Sequence, residues 1–322
     1  MGFQHLRLGV PLAILTAALS GISVYVAKFG TQAVPDPFVY TTARNLTVGL
    51  ALLAMLMAGR RGEEIHALSR ANWLRLGLIA FIGGSVPFLL FFWGLTMTDA
   101  ATGSIIQKAQ FVWVALLAAP LLGERLTRLH LVALAAILGS VAIGGPVGIH
   151  SIGPGEGLIL AATLLWAGES VLARRTLREV SPLLGASARM AGGATILLVG
   201  LGVTGRLPVL LHLSADQVLW IVGPSVLLLG YVLSWYTALR HAPAVVVTSA
   251  LALGAPITAL LAAGGSAPQL AARIGSSVAL WSFANAPLLS TILLVAGLAL
   301  LVSASAAPAG RRTIDRRSTT VP

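Results

Sequence analysis

Four charged side chains stand well inside long apolar stretches of this chain: Arg44, Lys108, Glu169 and Arg189. A charge in hydrocarbon costs about 2.5–3.5 kcal/mol on insertion scales, so each needs a partner or a task. Glu169 is the one carboxylate so placed, which makes it the candidate for a protonatable group inside the apolar layer. Lys108 is flanked by Gln107 and Gln110, three polar residues within four positions. A helix facing lipid would not collect them, although they span both of its faces and cannot all meet one cavity. Aromatic residues near the middle of two stretches (Phe88, Phe91, Phe92, Trp93, Tyr231, Trp235, Tyr236) could line a pocket for an organic molecule or serve as packing and interfacial belts.

Other chemistry is poorly provided for. The chain has no cysteine, which removes thiolate zinc sites, disulfides and thiol catalysis. Its six histidines lack any ligand spacing, so neither a metal site nor a cofactor is expected. No HExxH, GxSxG or Walker A sequence occurs, and no aspartate lies within an apolar stretch. An intramembrane enzyme would have to rest on Glu169 or an unmarked serine.

The elements that position these residues follow from composition. The 322 residues are 57% hydrophobic and only 10% charged, with a mean hydropathy of +0.91. That is too little charge to cover a water-facing surface. Runs of about 20 apolar residues, enough to cross ~30 Å of hydrocarbon as a helix, lie near 8–28, 38–58, 74–95, 102–122, 129–145, 156–174, 184–203, 217–238, 244–263 and 287–304. With no alternating pattern of a barrel, an all-α integral membrane protein of ten transmembrane helices is the expected fold class. The connection over 264–286 is atypical and could hold an interfacial helix.

Lysine and arginine set the orientation. Arg7, Arg60, Arg61, Arg70, Arg75, Arg125, Arg128, Arg174, Arg175, Arg178, Arg240, Arg311, Arg312, Arg316 and Arg317 all fall on one side if spans alternate, whereas Arg206 and Arg273 occupy the loops of the other. The positive-inside rule then puts both termini in the cytoplasm of a bacterial-type cell, with the chain in the inner membrane. The formal charge of +11 resides in these short loops, so it argues for topology and not for nucleic acid. The stretch 306–322, basic and rich in Ser and Thr, reads as a disordered cytoplasmic tail held by anionic lipid. The first apolar run reads as an uncleaved helix.

Depth sorts the buried charges. At ~1.5 Å per residue, Arg44 and Lys108 lie about 9 Å inward from the outer ends of their helices. Glu169 and Arg189 lie about 8 Å inward from the cytoplasmic ends of theirs. Glu169 and Arg189 are therefore expected to pair, either as a structural pair or as a switch opened by protonation of Glu169. Arg44 and Lys108 have no carboxylate at their depth, since Asp36 and Asp99 sit at helix ends. They would attract an anionic group of a solute, or snorkel to the outer interface. Pro87, Pro224 and Pro256 lie inside spans and can free backbone carbonyls.

The chain also repeats itself. Leu19, Ala27, Lys28, Val34, Pro37, Ala43 and Arg44 are answered by Leu165, Ala173, Arg174, Val180, Pro182, Ala188 and Arg189, and Phe92–Leu95 by Tyr236–Leu239. Five spans per unit force the two units, 1–149 and 150–305, into opposite orientations. Inverted repeats of this kind mark carriers whose site lies near the midplane between the units.

On these residues the sequence resembles the EamA-type transporters of the drug/metabolite transporter (DMT) superfamily. The matching features are a first helix ending at Lys28, the link Pro35–Pro37, Arg44 in the second helix, and Leu121-Leu122-Gly123-Glu124-Arg125-Leu126 closing the fourth. A fifth helix bearing Gly139, Gly144 and Gly145 follows. The second unit adds Trp166-Ala167, Arg174-Arg175, Pro182, Arg189, Tyr236–Leu239 and Pro256. Two departures stand out: Gln107–Gln110 where the family runs apolar, and Pro268 where the Gly-Glu motif should recur. The resemblance implies efflux of small metabolites such as amino acids, or of drugs, often with proton coupling. It also implies an arginine at the Arg44 position whatever the solute. A channel or lipid-moving protein of the same fold is the alternative. Solute and lipid are the expected partners. Ala136, Ser140 and Gly144, small residues on one face of the fifth helix, suit close packing, including packing within a homodimer.

Overall fold

The computed structural model describes residues 3–59, 62–124, 127–144, 153–262 and 286–306, and every regular element among them is helical. Among the described residues the principal helices overlap the apolar runs. They are α1 Phe3–Ala33, α2 Pro37–Ala58, α3 Arg70–Met97, α4 Ala100–Leu122, α5 Arg128–Gly144, α6 Pro154–Thr176, α7 Pro182–Val203, α8 Ala215–His241, α9 Ala244–Ala262 and α10 Ala286–Ala306. Eight of them are long and apolar enough to cross a membrane; α5 and α10 fall outside that set and pack against each other. Ala133, Ala136 and Ile137 on α5 press so closely on Gly297 of α10 that a methyl group there would collide with them. Ala136 thus meets a partner within its own chain. The 264–286 connection, apart from Ala286, and the tail beyond Ala306 lie outside the described residues, as do Arg60, Arg61 and Arg125.

Local chemistry sets the helix boundaries. Asp36 accepts hydrogen bonds from the Phe38 and Val39 amides, and Pro37 occupies the first turn, where its missing N–H costs nothing. Ser181 and Pro182 start α7 in the same way, the Ser181 hydroxyl accepting from the Leu184 amide. Ser214 and Gln217 form a reciprocal capping box at the head of α8. At the foot of α4, Gly123 adopts a left-handed φ of 68°. The chain then turns so that the Glu124 carboxylate receives the Ala244 and Val245 amides at 2.8 and 3.3 Å, capping α9.

Contacts between helix ends define two layers. In one layer the start of α1 meets the end of α8 (Gly9 on Ala242), and the end of α4 meets the start of α9 through Glu124. There too Ser181 donates its amide to Glu64, Glu179 receives Asn72 and Arg75, and His130 contacts Ser305. In the other layer Gln217 donates to the Ala33 carbonyl, Arg206 pairs with Asp36 at 3.1 Å, and Gly155 packs on Met97. Successive helices therefore run in alternating directions, and α6 runs opposite to α1. Between the layers the outward faces carry exposed Leu50, Leu74, Leu116, Val199, Leu219 and Val226, a surface suited to lipid and not to water.

Helices α3 and α7 cross at the centre. Each widens there into a turn of π-helix, Ala80–Ser85 and Ala188–Gly192. Gly84 and Gly193 let the two backbones touch, because a side chain at either would strike the opposing main chain. Such widenings leave carbonyls without helical partners, which in a dry interior must be satisfied from elsewhere.

Candidate functional site

The Gly83 carbonyl lies in the π-turn of α3, next to Pro87, which has no N–H to give the helix ladder. It is taken up by Trp166 Nε1 at 3.0 Å and Arg189 Nε at 3.2 Å, while Asn45 donates to the Gly84 carbonyl at 2.8 Å. The break in α3 thus holds an arginine and a tryptophan in place at the centre of the bundle.

Arg189 and Glu169 lie together, Nη1 to Oε2 at 3.7 Å, with side chains 2% and 1% exposed. Tyr236 donates its phenolic proton to Glu169 Oε1 at 2.6 Å. Glu169 Oε2 and Arg189 Nη1 make no hydrogen bond, so the pair is joined by charge across a small gap. The guanidinium also lies over the rings of Phe88 and Tyr236, at 5.4 and 5.9 Å.

Arg44 is equally buried, but its surroundings are neutral. Its Nη2 donates to Ser23 Oγ at 2.7 Å and to the Pro224 carbonyl at 3.2 Å, its Nε makes no hydrogen bond, and the group lies 5.1 Å over Phe92. Lys108, 1% exposed, donates to Ser20 Oγ at 2.6 Å and to Gln107 Oε1 at 2.8 Å. Among the described residues no ion pair joins Arg44 or Lys108 to a carboxylate.

A central cavity opens between these groups. Ser20, Ser23, Val24 and Ala27 of α1 form one wall; Arg44, Gln107, Arg189, Leu228 and Tyr231 close the sides; Phe88, Phe91, Phe92 and Trp166 supply an aromatic floor. It is narrow, a cavity of about 30 Å³, with room for water and not for an organic solute in this state.

The residues singled out from the sequence divide around this space. Arg44, Gln107 and Tyr231 line it. Lys108 stands behind Gln107 with its stem against Gly254. Gln110 points elsewhere, donating to the Trp166 carbonyl and to Ser170. Tyr236 belongs to the Glu169 pair. Trp93 requires a correction: it is 46% exposed and does not line the cavity. On α3 Phe88, Phe91 and Phe92 share the inward face, and Trp93, rotated about 100° further from Phe92, leaves it. Sequence reading did not single out Ser20 and Ser23 at all. Serine is common in helices, and only the two cations that settle on these hydroxyls distinguish them.

Two similar closures stand at opposite ends of the bundle. Lys28 Nζ donates to the Leu95 and Thr98 carbonyls at 2.7 Å each, closing the end of α3. Arg174 donates to the Leu239 and Arg240 carbonyls, closing the end of α8. Arg44 over Phe92 likewise answers Arg189 over Tyr236.

Comparisons with known proteins agree with this geometry. Residues 7–144 match the model of the EamA-like transporter family. An uncharacterized transporter in the cobO 3' region of a Sinorhizobium species is 26% identical over 125 residues, which is 39% of this chain and 87% of that protein. A solved crystal structure, 17% identical, has the same fold with a TM-score of 0.65 over 98% of this chain and 99% of its own. These similarities mark residues 7–144 as an EamA-like transporter unit.

Proposed function

Starting from an EamA-like transporter unit over residues 7–144, we propose that the whole chain is a secondary transporter. It exports a small organic solute, an amino acid-like metabolite or a drug, across the inner membrane by alternating access. Two inverted five-helix units, 1–149 and 150–305, enclose the solute between them. The observation that carries this reading is the central cavity, to which each unit contributes one arginine, Arg44 and Arg189, at its wall. The paired closures of α3 by Lys28 and of α8 by Arg174, in opposite layers, support the inversion. The layer holding Arg70, Arg75, Arg175, Arg178 and Arg240 would face the cytoplasm, and with it both termini. The outward direction rests on the family resemblance.

Glu169 is the coupling group in this proposal. Its Oε2 has no hydrogen bond to lose, so a proton arriving there cancels the attraction to Arg189 while Tyr236 holds Oε1. Release of Arg189, which also grips the α3 break through Gly83, would loosen the crossing of α3 and α7. The test is flux into proteoliposomes under an imposed pH gradient. A saturable, gradient-driven uptake of one solute class supports the reading; flux that never saturates would indicate a channel instead.

A further inference from the structure

The two central arginines differ in one respect that the repeat makes visible. Glu169 stands five residues before Arg174, and Ser23 stands five residues before Lys28. Since Lys28 and Arg174 perform the same closure, Ser23 and Glu169 are equivalent positions on α1 and α6. Each contacts its own unit's arginine: Ser23 Oγ receives Arg44 at 2.7 Å, and Glu169 Oε2 faces Arg189 at 3.7 Å. One guanidinium therefore has a carboxylate and the other has a hydroxyl in its place.

The missing charge is not supplied from elsewhere in the described residues. The chain has ten Asp and Glu residues, of which Asp315 alone lies outside them. None of the others pairs with Arg44 or Lys108. Both cations rest instead on hydroxyls of one helix face, Arg44 on Ser23 and Lys108 on Ser20, one turn apart. Arg44 is 2% exposed and lines the cavity, and its Nε has no acceptor. A buried guanidinium that lines a cavity and keeps one donor unsatisfied favours an anion there, and a carboxylate matches its fork. The aromatic floor of Phe88, Phe91, Phe92 and Trp166 would receive an apolar body attached to it.

We propose that the transported solute is an organic anion whose carboxylate takes, at Arg44, the position that Glu169 holds at Arg189. The proposal rests on the transporter reading above and deepens it by naming the solute class. The solute completes the symmetry of the repeat: when it is bound, each central arginine faces one carboxylate. Entry requires the narrow cavity to widen, and the ligand then draws Arg44 away from Ser23.

The test uses three probes that share one apolar body, phenylacetate, its neutral amide phenylacetamide, and phenethylammonium. Each is added to the detergent-purified full chain while thermal unfolding is followed. Phenylacetate alone is expected to raise the unfolding midpoint, increasingly with concentration. Ser23→Glu supplies the missing carboxylate from the protein itself and should abolish the shift without loss of the folded state. Ser23→Ala, which frees Arg44, should keep it. No shift with phenylacetate, an equal shift with the amine or the amide, or a normal shift in Ser23→Glu would overturn the proposal. Flux in liposomes separates this failure from that of the transporter reading. Saturable carriage of phenethylammonium would refute the anion and leave transport intact, whereas no saturable carriage of any solute would refute transport itself.

Discussion

Lys28 and Arg174 hold similar stations: Lys28 on α1 donates two hydrogen bonds to carbonyls at the end of α3, and Arg174 on α6 donates two to carbonyls at the end of α8. Helix ends leave such carbonyls without partners, and in an apolar layer water is not at hand to replace them. Removing either cation should therefore loosen one end of the bundle only. Lys28→Met is expected to cost on the order of 1 kcal/mol per lost bond. It should lower the thermal midpoint of purified protein and raise hydrogen exchange at the end of α3, while the end of α8 is unchanged. Arg174→Met should give the reverse pattern.

The crossing of α3 and α7 depends on glycine at two positions. An alanine at Gly84 would drive its methyl into the Arg189 carbonyl, which is main chain and cannot step aside. Overpacking of this kind costs about 1–3 kcal/mol or more, and here it also displaces Arg189 from Gly83. Gly84→Ala should yield little folded protein after detergent extraction. Gly77→Ala, on an exposed part of the same helix with nothing within 4 Å of the new methyl, should behave as wild type.

Glu124 ties α4 to α9 and gives the fold a pH dependence of defined sign. Burial pushes its carboxyl above the usual range, outweighing the amides of Ala244 and Val245 and the nearby Arg174 and Arg178, which act the other way. A carboxyl raised on folding binds its proton more tightly in the native state. Its contribution is full below the unfolded value of about 4.3 and fades as pH rises through the folded value. Glu124→Gln keeps an acceptor for the α9 amides without the ionisation. It should match wild type in acid and equal or exceed it at neutral pH when thermal midpoints are compared across pH. Glu124→Ala should lose about 1 kcal/mol of capping throughout.

Glu169→Gln separates coupling from binding. It removes the carboxylate and leaves Arg189 charged and unpaired in the interior, so the variant should be less stable, by up to about 3–5 kcal/mol. Where it folds, uptake driven by a pH gradient should be lost while exchange of solute for solute persists. Full gradient-driven accumulation by Glu169→Gln would remove Glu169 from the coupling step.

Much of the positioning was legible in the sequence because lipid imposes it. Apolar runs had to be helices. A lone buried carboxylate had to find a cation, which made Glu169 and Arg189 readable as a pair. What stayed hidden depends on rotation about helix axes. Trp93 and Phe92 are neighbours in sequence but one is exposed and the other buried, and in a helix apolar on all sides no polar stripe shows which face is inside. Lys108 and Gln110 were likewise grouped with Gln107, although the chain turns at Ala109 and sends them to different neighbours. The importance of Gly83 was beyond reach, because its role is played by a backbone carbonyl within the π-turn.

Alternating access is the central claim, and the natural absence of cysteine makes it directly measurable. Val24 lines the cavity and is buried from both layers. In Val24→Cys protein in oriented vesicles, a membrane-impermeant thiol reagent should label the site from one side under one pH gradient and from the other side when the gradient is reversed. Labelling from both sides under the same conditions, or from neither under any, would contradict the account.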